Sequence, residues 1–135
     1  MFKKGPIPPF VHGVLDYGLA ALLIAAPFLF AFDADAATAV GIVAGVLVLV
    51  IGACTAWTTG IIKSIPVQAH VMLDYMLAIL LIASPFLFGF DGDGTATAFF
   101  IVVGIAGLLL AIATRFTPEQ RQKRRTERTP PAAKA

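Results

Sequence analysis

The sequence predicts an all-α integral membrane protein: four transmembrane helices built as two tandem, parallel-related helical hairpins, plus a short basic C-terminal tail helix. Three observations carry this expectation: four long, nearly uncharged stretches, cations confined to alternate connections, and an internal repeat one hairpin long. With 59% hydrophobic and 13% charged residues, the chain is far more apolar than a soluble domain sustains.

The nearly uncharged stretches cover residues 9–32, 36–58, 66–90 and 95–117. At ~1.5 Å per residue, a stretch of roughly 22 residues crosses the ~30 Å hydrocarbon core with length left for tilt. Isolated β-segments would leave backbone groups unpaired in lipid, so each span is predicted to be helical. Residues 1–116 then form a single transmembrane domain, with repeat one at 7–57 and repeat two at 65–116, and residues 117–135 form the tail. A single cysteine, Cys54, allows no internal disulfide.

All ten Lys and Arg lie in the N-terminal arm (Lys3, Lys4), the central loop (Lys63) or the C-terminal end from Arg115 onward. An even number of crossings puts these regions on one side, and the positive-inside rule makes that side cytoplasmic. The other connections, at Asp33 to Ala36 and Asp91 to Gly94, carry four Asp and no cation. The expected location is a bacterial inner (plasma) membrane with both termini cytoplasmic. Lys3 and Lys4 before an apolar run also fit a signal peptide, but cleavage would remove one member of a matched pair, and Asp16 sits awkwardly in a signal core.

At an offset of 58, residues 7–35 match residues 65–93 at 19 of 29 positions. Matched residues include His12 with His70, Leu15-Asp16-Tyr17 with Leu73-Asp74-Tyr75, and Pro27-Phe28-Leu29-Phe30 with Pro85-Phe86-Leu87-Phe88. Beyond the hairpin the offset becomes 59, pairing Gly45 with Gly104, Thr55 with Thr114 and Trp57 with Phe116. Two crossings separate equivalent points, so the copies share one orientation and are expected to be related by a pseudo-two-fold axis along the membrane normal.

The His-x3-Asp-Tyr pattern, followed by Leu-Ile-Ala-Ser-Pro-Phe-Leu-Phe-Gly-Phe and an Asp/Gly turn, resembles the SPW-repeat membrane proteins, named for a Ser-Pro-Trp motif in the first helix of a two-helix unit. The resemblance runs nearly to Phe116. The first copy reads Ala26-Pro27-Phe28 and the second Ser84-Pro85-Phe86, so both lack the motif's Trp and only the second has its Ser. The resemblance implies the fold and implies no reaction.

Ionisable groups inside a membrane are costly and mark sites worth weighing. His12 and Asp16 are four residues apart, as are His70 and Asp74, so each pair shares a helix face, and pseudo-symmetry can bring all four together. One reading is a structural polar clasp, each Asp accepting from the preceding His or from the other copy. The others are a metal or cofactor site of two His and two Asp, axial haem ligation, for which the histidines are poorly disposed, and a proton or ion route. The cofactor is left unknown.

Gly41 and Gly45, with Gly104 and Gly107, are read as helix-packing positions, within the bundle or toward another subunit. Pro27 and Pro85 are read as helix kinks. Tyr17, Tyr75, Phe28, Phe30, Phe32 and their copies, with Trp57 and Phe116, are read as interfacial anchors. The outer loops hold too few oxygen ligands for a calcium loop; capping of the following helix explains their Asp and Gly. Thr117-Pro118-Glu119-Gln120 reads as a capping box opening the tail helix. There Arg121, Lys123, Arg124, Arg125 and Arg128 suit anionic lipid headgroups or an acidic surface. Topology alone explains that basic run, so nucleic acid is not an expected partner.

No phosphate-cradling loop, Cys-x2-Cys pair or plausible Ser/His/Asp set is present. The expectation is therefore a non-catalytic accessory or stabilising subunit of a larger membrane complex, or a self-associating component. Metal or cofactor binding, or proton or ion transport, through the His/Asp cluster is the alternative.

Overall fold

A computed structural model describes residues 6–114. Among them are four helices and no extended strands: α1 (Pro9–Leu29), α2 (Asp35–Ala53), α3 (Val67–Leu87) and α4 (Gly94–Ala113). Each is 19 to 21 residues long and apolar enough to cross a membrane. The tail residues Arg121, Lys123, Arg124, Arg125 and Arg128, the expected tail helix, and Phe116 lie outside the described residues.

The chain packs hairpin by hairpin, α1 against α2 and α3 against α4. Two equivalent glycines set how close each pair comes. A Cβ added at Gly45 would lie 2.8 Å from the Ala20 carbonyl oxygen and 2.6 Å from Ile24 Cγ1. One added at Gly104 would lie 2.9 Å from the Ala78 carbonyl oxygen and 2.5 Å from Ile82 Cγ1. Both glycines are therefore spent inside the hairpins, where small residues let backbones approach without a hydrophobic driving force.

Across the pseudo-axis the copies are complementary, not identical. Gly41 aligns with Phe100, and the fully buried Phe100 ring comes within 3.6 Å of where a Gly41 Cβ would stand. Two phenylalanines would collide at this level and two glycines would leave a void. Gly107 aligns with Val48 and behaves differently from Gly41, Gly45 and Gly104. A Cβ there meets nothing closer than Ala78 Cβ at 4.0 Å, so Gly107 leaves space where the sequence reading expected close packing.

Pro27 and Pro85 stand two residues before the ends of α1 and α3. The Phe32 N–H donates to the Pro27 carbonyl at 3.0 Å, and the Phe90 N–H to the Pro85 carbonyl at 2.9 Å. With Ala31 at φ 50° and Gly89 at φ 69° in between, both helices close by Schellman motifs. Ala31 holds a left-handed conformation that its Cβ disfavours. Ala31→Gly is accordingly expected to stabilise the protein by roughly 0.5–1 kcal/mol and Gly89→Ala to destabilise it by a similar amount, measured as shifts in the detergent-unfolding midpoint.

Each proline also strips its i−4 carbonyl of a helical donor. In α3 the Ser84 hydroxyl donates to that carbonyl, Leu81 O, at 2.7 Å. In α1 the residue before the proline is Ala26, and the Leu23 carbonyl instead faces the open side of Gly41.

The two outer turns are joined by one side chain. Asp93 caps α4 by accepting from the Ala96 N–H at 3.1 Å, and its other oxygen accepts from the N–H groups of Asp33 at 2.8 Å and Ala34 at 3.1 Å. The Ala96 N–H, with those of Ala34 and Asp33, holds the Asp93 carboxyl below the usual carboxylate range, against the opposing effect of burial. The folded form therefore binds its proton less readily than the unfolded one. This contribution is complete above the unfolded value of ~3.9 and is lost as pH falls through the lower folded value. Wild type should lose more stability than Asp93→Asn between pH 5 and acid, read by unfolding midpoints across that range. Asp35, the repeat partner of Asp93, sits in the first turn of α2 and makes no such cap.

Candidate functional site

His12 and His70 each lie in the first turns of their helices, while Thr55 and Thr114 follow the ends of α2 and α4. All four therefore meet at the end of the bundle where α1 begins and α4 ends. Backbone bridges fix the threonines: Ile7 pairs with Thr114 and Ile65 with Thr55. In each bridge the segment leading into one copy's histidine helix pairs with the end of the other copy.

The side chains repeat this exchange. His12 Nδ1 lies 2.7 Å from Thr114 Oγ1, and His70 Nδ1 lies 2.7 Å from Thr55 Oγ1. The Thr55 hydroxyl donates to the Ile51 carbonyl at 2.5 Å and the Thr114 hydroxyl to the Leu110 carbonyl at 2.6 Å. A hydroxyl has one proton, so both threonines accept from the histidines, and each Nδ1 carries hydrogen.

Both Nε2 atoms therefore face the carboxylates. His12 Nε2 lies 3.0 Å from Asp74 Oδ2 and 3.3 Å from Asp16 Oδ1. His70 Nε2 lies 3.0 Å from Asp16 Oδ2 and 3.2 Å from Asp74 Oδ2. The result is a closed ring of two histidines and two aspartates, in which the shorter contact of each histidine crosses to the other copy. A bare nitrogen lone pair facing carboxylate oxygen at 3.0 Å would repel it, so each Nε2 link holds a proton, on nitrogen or on oxygen. Two such protons leave the ring electrically neutral either way, which suits burial in a low-dielectric bundle. Both histidines are 1% exposed, while the Asp74 side chain, at 18%, is more open than that of Asp16 at 7%.

Trp57 roofs the ring, its indole 4.2 Å from the His70 ring and 5.6 Å from the His12 ring. It is buried, which corrects the expectation of a lipid-facing anchor: the loop after α2 folds inward over the histidines. Tyr17 OH ties that loop down by donating to the Thr59 carbonyl at 2.7 Å. Gly13 leaves room for the Thr59 side chain against α1. At the other end Phe28, Phe30, Phe86 and Phe88 are exposed, whereas Phe90 is buried and Phe32 packs on the core.

A shallow cleft reaches the ring from one side, lined in part by Asp74, Leu77, Ala78, Val48, Gly107 and Leu110. His12 and Asp16 border it too, and Gly107 contributes open space to its wall.

Compared with known families, residues 10–114 match the SPW repeat domain. The chain belongs to the SPW-repeat family. Nothing among curated proteins and nothing among solved structures matches it. In this SPW-repeat protein the motif's Ser-Pro pair has a structural reason in the second copy, where Ser84 restores the donor that Pro85 removes. The ring residues stand apart from that motif, at the opposite end of the helices. Sequence reasoning grouped His12, Asp16, His70 and Asp74 but assigned no role to Thr55 or Thr114 and read Trp57 as an anchor. The threonines were findable, since they are equivalent residues of the repeat, standing just beyond the ends of α2 and α4.

Proposed function

We propose that this small membrane protein is a non-catalytic component of a bacterial inner membrane, an accessory or stabilising subunit that packs against a larger complex or against copies of itself. One observation supports this most: His12, Asp16, His70 and Asp74, the costliest side chains within α1 and α3, are turned inward and engaged with one another. A catalytic or transport site needs polar atoms offered to a substrate. Here the ring nitrogens, carboxylates and threonine hydroxyls latch two hairpins together instead. The outward faces of all four helices carry exposed aliphatic side chains, among them Val14, Val43, Val50, Met72, Ile79 and Leu109, and a thin four-helix bundle offers them to lipid and to neighbouring helices.

Gly41, Gly45 and Gly104 are occupied within the chain, so an external contact uses these aliphatic faces and not the glycine face. On this reading both termini are cytoplasmic, and Arg121, Lys123, Arg124, Arg125 and Arg128 hold anionic headgroups or an acidic partner surface.

The test is the mass of the particle extracted from its native membrane directly into lipid discs. A particle heavier than one chain, shifted by replacing Val43, Val50 or Leu109 with larger residues, fits the proposal. A particle of one chain at native abundance overturns it.

A further inference from the structure

We infer that the His12/Asp16/His70/Asp74 ring is also a binding site for one divalent transition-metal ion of the zinc class, which takes the place of the two link protons. Three features of the ring lead there.

The first is the donor set. Two imidazole nitrogens and two carboxylate oxygens suit Zn²⁺ and its neighbours, and the four ligand atoms lie within 4.8 Å of one another. Bonds of about 2.0–2.2 Å in tetrahedral array separate ligands by roughly 3.3–3.5 Å. Three N···O edges that share Asp16 Oδ2 and Asp74 Oδ2, at 3.0 to 3.2 Å, are already close to that, while His12 meets the other Asp16 oxygen at 3.3 Å. The wider cross-ring pair closes by about 1–1.5 Å of side-chain rotation, and zinc, lacking a d-electron preference, accepts a distorted arrangement.

The second feature is the outer layer. A metal-bound histidine generally donates its other N–H to a fixed acceptor, which sets the tautomer and aims the free nitrogen at the metal. Thr114 and Thr55 do this for His12 and His70, and each is itself held by a carbonyl of its own helix. The same Nδ1–H form that the threonines impose leaves Nε2 as the ligand atom on both rings.

The third is charge and space. Two neutral imidazoles and two carboxylates sum to −2, so one divalent ion enters, two protons leave, and the buried ring stays neutral. The ring also has room to adjust: the small cavity beside Gly107 borders His12, Asp16 and Asp74, and Asp74 is the more exposed of the two carboxylates. With valine at this position, as Val48 is in the first copy, that space would be smaller.

The experiment uses the full chain in detergent, stripped of metal and titrated with Co²⁺, then with Zn²⁺. Expected are one Co²⁺ per chain with the intense visible bands of a low-coordinate N/O site, displacement by Zn²⁺, and a rise in the unfolding temperature with either ion. Asp16→Asn/Asp74→Asn keeps the latch, because an asparagine amide can donate to Nε2 of a neutral histidine, and should lose all three responses while its helical circular dichroism is retained. Thr55→Val and Thr114→Val should weaken binding by about 10–100-fold each, the size of effect that outer-layer partners carry. Absence of stoichiometric Co²⁺ uptake in the wild type overturns the inference. So does uptake that persists in the double asparagine variant.

Discussion

Replacing Asp16 and Asp74 together by leucine is expected to lower stability by roughly 2–6 kcal/mol, the cost of leaving two buried histidine nitrogens without partners at about 1–3 kcal/mol each. His12 and His70 are 1% exposed, so water does not replace what is lost, and in the present fold the ring is where the polar chemistry of one hairpin meets that of the other. The paired asparagine variant should differ sharply. With Nδ1–H fixed on Thr114 and Thr55, a neutral Nε2 accepts from an amide, and the loss should stay within about 1 kcal/mol. Denaturant titration of the three proteins in mixed micelles measures both differences. Equal losses for leucine and asparagine would show that the carboxylates matter as charges and not as hydrogen-bond partners.

Gly45→Val and Gly104→Val are each expected to cost about 1–3 kcal/mol or more through overpacking. The obstacle at each site is a backbone carbonyl, Ala20 O or Ala78 O, which cannot rotate away as a side-chain tip can, so the two helices of a hairpin must separate. Gly107→Ala is the contrasting case on the same helix as Gly104. Its new methyl enters open space and should be neutral or stabilising by up to ~1 kcal/mol from helix propensity. Unfolding midpoints of the three variants, side by side, give the signs directly.

Much of this architecture was legible in the sequence, because lipid narrows the choices: spans must be helical and long, and a repeat copied nearly verbatim must fold twice alike. The grouping of His12, Asp16, His70 and Asp74 was legible for the same reason, since i,i+4 spacing on two equivalent helices brings them to one level. The crossed pairing was not. Whether His12 takes Thr55 or Thr114 depends on how the two hairpins are rotated about the pseudo-axis, and that rotation is set by pairs such as Gly41 with Phe100, whose complementarity shows only in three dimensions. Trp57 was misjudged for a related reason. An aromatic residue beside the last apolar turn fits an interfacial anchor by pattern, and only the fold of the loop, tied by Tyr17 and admitted by Gly13, turns it inward. Asp93 joins both outer turns although its repeat partner Asp35 does not, an asymmetry that the extra residue in the second turn makes possible.

The central claim is that the copies exchange partners, each histidine being held by the threonine of the other hairpin. Double-mutant cycles of His12→Leu and His70→Leu against Thr55→Val and Thr114→Val, read as unfolding free energies in detergent, test it most directly. Coupling of about 0.5–1.5 kcal/mol is predicted for His12 with Thr114 and for His70 with Thr55, and additivity within about 0.3–0.5 kcal/mol for His12 with Thr55 and His70 with Thr114. The reverse pattern, or additivity in all four cycles, would contradict the exchanged latch.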